Sequence, residues 1–224
     1  RRQRQMCIRD SMGGFNYAWS PDGKWFSLEI IGNGHDPYSD VAIVKADGSE
    51  KPVNLTGSGY FSSQPRWVLD GNAVLFLTDR YGMRSHASWG SLNDVMLVFM
   101  NKDAYDKFRL SKEDYELQKE LEKEQKKNAE KADADKKKGK KKDDKKADKK
   151  EEKKDIDVQL DGIEDRIVRI TPNSSEIADA IVDADGESLY YLSAFEEGYD
   201  LWKLDLRKKS TECLKKLDTS SAQF

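Results

Sequence analysis

Ala18-Trp19-Ser20-Pro21-Asp22-Gly23-Lys24-Trp25-Phe26-Ser27-Leu28 joins two short apolar runs through Asp-Gly, and the arrangement returns twice. The second copy is Arg66-Trp67-Val68-Leu69-Asp70-Gly71-Asn72-Ala73-Val74-Leu75-Phe76. The third is Ile181-Val182-Asp183-Ala184-Asp185-Gly186-Glu187-Ser188-Leu189-Tyr190-Tyr191. Asp bonds its own backbone in a turn, and Gly takes positive φ at little steric cost. Asp-Gly between two β-rich runs is a hairpin signal. Three at matching offsets define a repeat.

The rest of the unit repeats too. An acid opens a third apolar run at Asp40-Val41-Ala42-Ile43-Val44, Asp94-Val95-Met96-Leu97-Val98 and Asp200-Leu201-Trp202-Lys203-Leu204. A fourth run ends in Thr at Val53-Asn54-Leu55-Thr56 and at Ile167-Val168-Arg169-Ile170-Thr171. Thr56 to Trp67 and Thr171 to Val182 both span 11 residues. Four short strands over about 45 residues make a propeller blade. The spacing predicts an all-β chain: a partial β-propeller of about three four-stranded blades, with Trp19 and Trp67 in the blade core. A ring of blades closes to protect its edges. With about three units present, the expectation is that the chain is cut at both ends.

The second unit is interrupted. Asp40 to Thr56 spans 16 residues and Asp94 to Thr171 spans 77. The 61 extra residues divide the chain into blades over 12–100, a charged insertion over 101–157 and further blades over 158–224. Ser111-Lys112-Glu113-Asp114 predicts a helix start, with Ser111 as N-cap. Phe108, Leu110, Leu117 and Leu121 are its sizeable apolar anchors, beside Tyr105 and Tyr115. Beyond Leu121 no apolar stripe stands before Ile156, so a solvated helix is expected to fade into disorder.

The chain is 36% charged, and the insertion explains why. Lys102 to Asp157 holds 21 Lys/Arg and 18 Asp/Glu, more than half of the 39 basic residues. The acids nearly match the lysines and no aromatic residues interleave for base stacking, which argues against nucleic acid. A charged surface excursion or a docking arm remain. Residues 1–11 back-translate to a sequence resembling the transposase adapter of sequencing libraries, and are read as a scar rather than a basic arm. Without them the net charge moves from -3 to -6, and Cys213 is left as a lone cysteine. Cysteine usage then does not identify the compartment, and no apolar run approaches a membrane span.

Chemistry is sparse. His35 lies in Gly32-Asn33-Gly34-His35-Asp36-Pro37, between the second and third strands of the first unit. His86 lies at the equivalent place in the second, within Tyr81-Gly82-Met83-Arg84-Ser85-His86-Ala87-Ser88-Trp89-Gly90-Ser91. Two His with Asp36 are too few ligands for a metal. Ser85 or Ser88 with His86 lacks an orienting acid and an oxyanion hole. No nucleophile elbow, zinc-protease motif or phosphate loop occurs, so no catalytic residue, metal or cofactor is assigned. His35, Arg84, His86 and Trp89 are the candidate contact residues, on loops at one end of the scaffold.

The stretch Phe15 to Trp25 resembles the blades of tricorn-like and TolB-like propellers. Asp79 to Ser91, with Ala104-Tyr105-Asp106-Lys107-Phe108-Arg109-Leu110-Ser111-Lys112-Glu113, resembles the N-terminal propeller of bacterial tricorn protease homologues. In that family the propellers precede a PDZ domain and a serine-peptidase core, and they filter or guide peptides toward it. The resemblance implies peptide substrates and those downstream domains as partners, and leaves a homo-oligomer open. It leaves both a cytoplasmic and an exported location open as well. The alternatives are the propeller of a dipeptidyl-peptidase-like hydrolase and a non-enzymatic TolB-like binding propeller.

Overall fold

A computed structural model describes residues 16–32, 38–85, 90–137, 155–196 and 198–224, with the backbone alone for 125–137 and 196. Among them are three antiparallel four-stranded sheets, each in simple up-and-down order. The first holds β1 (Tyr17–Trp19), β2 (Trp25–Ile30), β3 (Asp40–Lys45) and β4 (Val53–Asn54). The second holds β5 (Ser62–Val68), β6 (Ala73–Thr78), β7 (Asp94–Phe99) and β8 (Ile167–Arg169). The third holds β9 (Glu176–Val182), β10 (Ser188–Glu196), β11 (Gly198–Asp205) and β12 (Ser210–Thr219). These are the blades of a β-propeller, arranged as an open arc. Helices α1 (Lys102–Arg109) and α2 (Lys112–Lys137) stand between β7 and β8.

The Asp-Gly hairpins form, by two routes. In the first blade Gly23 turns at φ +73° and the Ser20 hydroxyl accepts from Trp25 N at 2.9 Å. In the third, Gly186 turns at φ +71° and Asp183 accepts from Glu187 N at 2.8 Å. Glycine enters this left-handed region without strain. The second hairpin is one residue shorter and makes a 3-10 turn instead, with Leu69 and Asp70 also at positive φ.

The middle sheet is buried on both faces. Leu75, Leu77, Val95, Leu97 and Phe99 pack on Ile177, Val182, Leu189 and Tyr191 of the third sheet. The alternate residues Val74, Phe76, Met96, Val98 and Met100 pack on Val41, Ile43 and Leu55 of the first. Every residue of β6 and β7 is therefore buried, which is why those strands read as unbroken apolar runs. Each large aliphatic buried this way contributes roughly 1.5–3 kcal/mol.

Trp67 is buried as expected, but Trp19 is 56% exposed and does not join the core. It alternates with Ala18, which packs inward, so Trp19 falls on the face turned away from the second sheet and, among the described residues, stacks on Phe26. Leu117 and Leu121 are likewise exposed, not anchors. In α2 they face away from the blades, and Tyr115 is the buried residue there instead. Ser111 does cap α2, accepting from Asp114 N at 3.1 Å while its hydroxyl donates to the Asp114 carboxylate at 2.9 Å.

The repeated acid and the repeated Thr bond each other. Thr56 donates its hydroxyl to Asp40 at 2.9 Å, and Thr171 donates to Asp94 at 2.8 Å. Asp94 is fully buried and also accepts from Arg169 at 2.8 Å and Ser174 at 2.8 Å. In the third blade no Thr stands at that offset, and Asp200 accepts from Leu217 N at 2.7 Å instead.

Asp94→Ala removes one partner of a buried charged network, so it is expected to cost about 3–5 kcal/mol. Thr171→Val, which loses the hydroxyl's donation to Asp94 and its acceptance from Val95 N, should cost about 1–3 kcal/mol. Urea denaturation checks both, and equal small losses would show that the carboxylate is not the organising group.

Candidate functional site

Alternating strand direction gives the arc two unlike ends. The strand 1–2 turns and the α1–α2 insertion share one end. The strand 2–3 loops and the connections between blades share the other. At this second end the three blades enclose a cleft of about 580 Å³, lined by Tyr38, Asp79, Arg84, Asn93, Glu176 and Tyr199 among others. That volume lies within the range of ligand-binding clefts.

Its central wall is the long β6–β7 loop, folded as a second small hairpin. Leu92 N donates to Met83 O at 3.0 Å, Ser85 N to Gly90 O at 3.0 Å, and Arg84 and Ser91 pair across it. Gly82 lies directly against the Leu92 carbonyl, leaving no room for a β-carbon. Only glycine permits that approach. Asn93 and Ser175 exchange two backbone hydrogen bonds at 2.7 and 3.1 Å, tying the loop to the strand that opens the third blade.

Arg84 is the charged centre of this wall. Its Nε lies 3.2 Å from Asp79 Oδ2, and Asp79 is only 1% exposed. The other carboxylate oxygen accepts from Phe61 N at 2.9 Å. The Arg84 contact is off the hydrogen-bond axis, so that buried oxygen is held by charge rather than by a directed bond. The guanidinium carbon lies 5.6 Å from the Tyr38 ring centre and 5.2 Å from that of Tyr60. Tyr38 lies in the first blade's β2–β3 loop and Tyr60 in the connection from β4 to β5, so one arginine ties the first blade and the interblade connection to the second by cation–π contact. Tyr38 in turn packs on Phe61 at 4.9 Å.

The far wall is acidic and aromatic. Tyr199 donates its hydroxyl to Glu176 at 2.8 Å. Burial, and then the bond to Glu176 and its negative charge, raise the Tyr199 hydroxyl above its ordinary pKa. The cleft thus offers a phenol, a carboxylate, a guanidinium and aromatic faces. Among the described residues no group of three or more metal-ligating side chains occurs.

Of the four candidate residues, Arg84 lies in the cleft. His35, His86 and Trp89 fall at 33–37 and 86–89, outside the described residues. Sequence reasoning missed Tyr38, Asp79, Glu176 and Tyr199 as cleft residues. Asp79 opens the motif that carries the family resemblance, which was the one available signal. Tyr38 and Tyr199 sit in different blades, and no spacing pattern joins them.

No family model and no curated protein matches the chain. Solved structures do. The crystal structure of the tricorn protease aligns over 89% of this chain and 18% of its own length, with TM-score 0.51 and 9% identity. A putative TolB from Agrobacterium tumefaciens aligns over 91% of this chain and 47% of its own, with TM-score 0.47 and 11% identity. TolB from Acinetobacter baumannii aligns over 93% and 35%, with TM-score 0.48 and 15% identity. The chain therefore spans less than half the length of each. At such identity the likeness to tricorn speaks to the propeller fold alone. Among the described residues no helix is long and apolar enough to cross a membrane.

Arg84→Met strands the Asp79 carboxylate in the interior without its counter-charge. The expected cost is about 1–3 kcal/mol, below that of a fully buried pair because Arg84 is partly exposed. Faster amide exchange at Ser85 and Leu92, largely reversed in Arg84→Met/Asp79→Asn, is the expected result. No rescue by Asp79→Asn would remove the charge argument.

Proposed function

We propose that the chain is a propeller module of a tricorn-like serine peptidase, which receives peptides at the loop end and guides them toward a catalytic core. The observation that carries this reading is the cleft itself: one blade supplies Tyr38, the next Arg84 and Asn93, the third Glu176 and Tyr199. An extended peptide presents amide donors, carbonyl acceptors and side chains in alternation. Asn93, Tyr199 and Arg84 offer matching groups, and Tyr38 and Phe61 offer apolar faces. Contacts drawn from several rigid blades hold a chain loosely at many points, which suits guidance better than tight capture.

The resemblance of residues 79–91 and 104–113 supports the tricorn-like assignment, and the propeller fold is compatible with it. His35, His86 and Trp89 lie in the same loops by sequence, and the reading makes them further contacts at this end. Catalysis is left to a separate core, as the resemblance implies.

In the protein that carries the core, Tyr38→Ala and Trp89→Ala are expected to lower kcat/KM for peptides longer than about ten residues by roughly 3- to 30-fold, that is about 0.7–2 kcal/mol. Tripeptide turnover should stay within twofold. Equal losses on both substrates, or none, would end the guidance reading.

A further inference from the structure

The opposite end of the arc is not a bare row of turns. The chain leaves β7 and returns to β8 through two roots, and each root reaches a different neighbouring blade. We infer that the insertion is a two-armed strap that fixes the angles between the three blades.

The first arm is α1 and the start of α2, and it grips the third blade. Phe108 and Tyr105 pack on Phe99 of the second blade, at 4.9 and 5.8 Å between ring centres. Arg207, in the β11–β12 turn, donates to the carbonyls of Phe108 at 2.6 Å and Leu110 at 3.2 Å. Its guanidinium lies 4.0 Å from the Tyr115 ring centre. The Tyr115 hydroxyl donates to Asp185 O at 3.1 Å, in the third blade's Asp-Gly turn. Lys119 adds ion pairs to Glu187 at 2.6 Å and Asp185 at 3.6 Å. Half-buried Arg207 exchanges part of its hydration for two carbonyls, both reached from Nη1, and for the Tyr115 ring.

The second arm is the return segment, and it grips the first blade. Ile156 N donates to Asp22 Oδ2 at 3.0 Å, in the first Asp-Gly turn, and Lys24 pairs with Asp155 at 2.6 Å. The Ile156 side chain lies directly against Gly71 of the second blade's turn and packs on the core between the first two sheets. The two roots are clasped to each other where they meet the second blade. Gln159 N donates to Met100 O at 2.8 Å and Lys102 N to the Gln159 side chain at 3.2 Å. Below them the buried Arg166 donates to the carbonyls of Phe99, Gln159, Asp161 and Gly162.

All three strand 1–2 turns are thus touched by one insertion, from opposite sides. Blades stacked by apolar faces alone resist separation but only weakly resist small rotations, because apolar packing is non-directional. Directional bonds at one rim remove that freedom. The strap stands on these contacts, whether or not the far cleft takes peptide.

The test is an interblade distance. Cysteines replace Lys51 in the first blade and Ser210 in the third, both exposed, with Cys7 and Cys213 changed to Ser. Spin labels at these sites report the spread by pulsed electron resonance. Tyr115→Ala is expected to widen the distance distribution about twofold and to speed amide exchange at Gly186 and Glu187 about tenfold. Ile156→Ala should widen it through the other arm. Leu117→Ala, on the exposed face of α2, should change nothing, and neither should cutting the chain at a protease site introduced between 138 and 154. If Tyr115→Ala does not fold, Arg207→Lys is read in its place, since it keeps the charge and loses the paired donation to two carbonyls. An unchanged distribution with α2 released from the third blade would overturn the strap. So would widening caused by the cut alone.

Discussion

The first two blades each hang on a carboxylate at the head of the third strand. Asp40 and Asp94 are almost wholly buried and could not sit there unpaired. What satisfies them is the exit of the fourth strand: Thr56 and Asn54 in one blade, Thr171, Arg169 and Ser174 in the next. The bond does two jobs. It fastens an outer strand of only two or three residues, too short to hold itself by ladder bonds. It also sets the direction in which the chain leaves for the next blade. The Thr hydroxyl completes the geometry by accepting from the following backbone, Val41 N in one blade and Val95 N in the other. The equal spans from Thr to the next blade follow from this, since every departure starts from the same fixed point.

The blades were legible because they rest on local chemistry. Turns, an acid and a Thr recur at short offsets, and period-two alternation says which side chains share a face. Alternation does not say whether another sheet covers that face. Trp19 and Trp67 are matched positions in the repeat, yet one lies against the second sheet's neighbour and the other is open. The insertion was harder. Its composition is that of a solvated segment, and beyond Glu124 no side chain of α2 is described. Its footing is made by few residues, and Arg207 is nearly a hundred positions from the carbonyls it binds. Leu117 and Leu121 outrank Tyr115 in hydropathy, but the ring that meets a guanidinium and a carbonyl is the one that becomes buried. The cleft was the least legible feature. Arg84 stood out as a loop arginine; Asp79 is its partner within the same loop, while Tyr38 and Tyr60 approach only after the chain outside that loop has packed against it.

The two ends of the arc differ in how their polar groups are used. At the turn end, side chains are spent on other parts of the chain: Asp22 on Ile156, Tyr115 on Asp185, Arg207 on two carbonyls. At the loop end, groups stay on the surface of the cleft, as Arg84, Glu176 and Tyr199 do. The doubly buried middle sheet links them. Close-packed interiors transmit displacement rather than absorb it, so the angle held at one rim also governs the separation of Tyr38, Arg84 and Tyr199 at the other.

Arg84 shows what that coupling asks of a single residue. One edge of its guanidinium answers a buried carboxylate, and its plane lies near two rings, one of the neighbouring blade and one of the connection from it. A lysine at this place could meet the charge of Asp79 but could not present a planar face to Tyr38 and Tyr60 at the same time. The residue is therefore part of the blade interface before it is part of any contact with a ligand. Any ligand reaching it would meet a group already oriented, which lowers the ordering cost of contact. Loss of Arg84 would therefore disturb the wall as well as any contact.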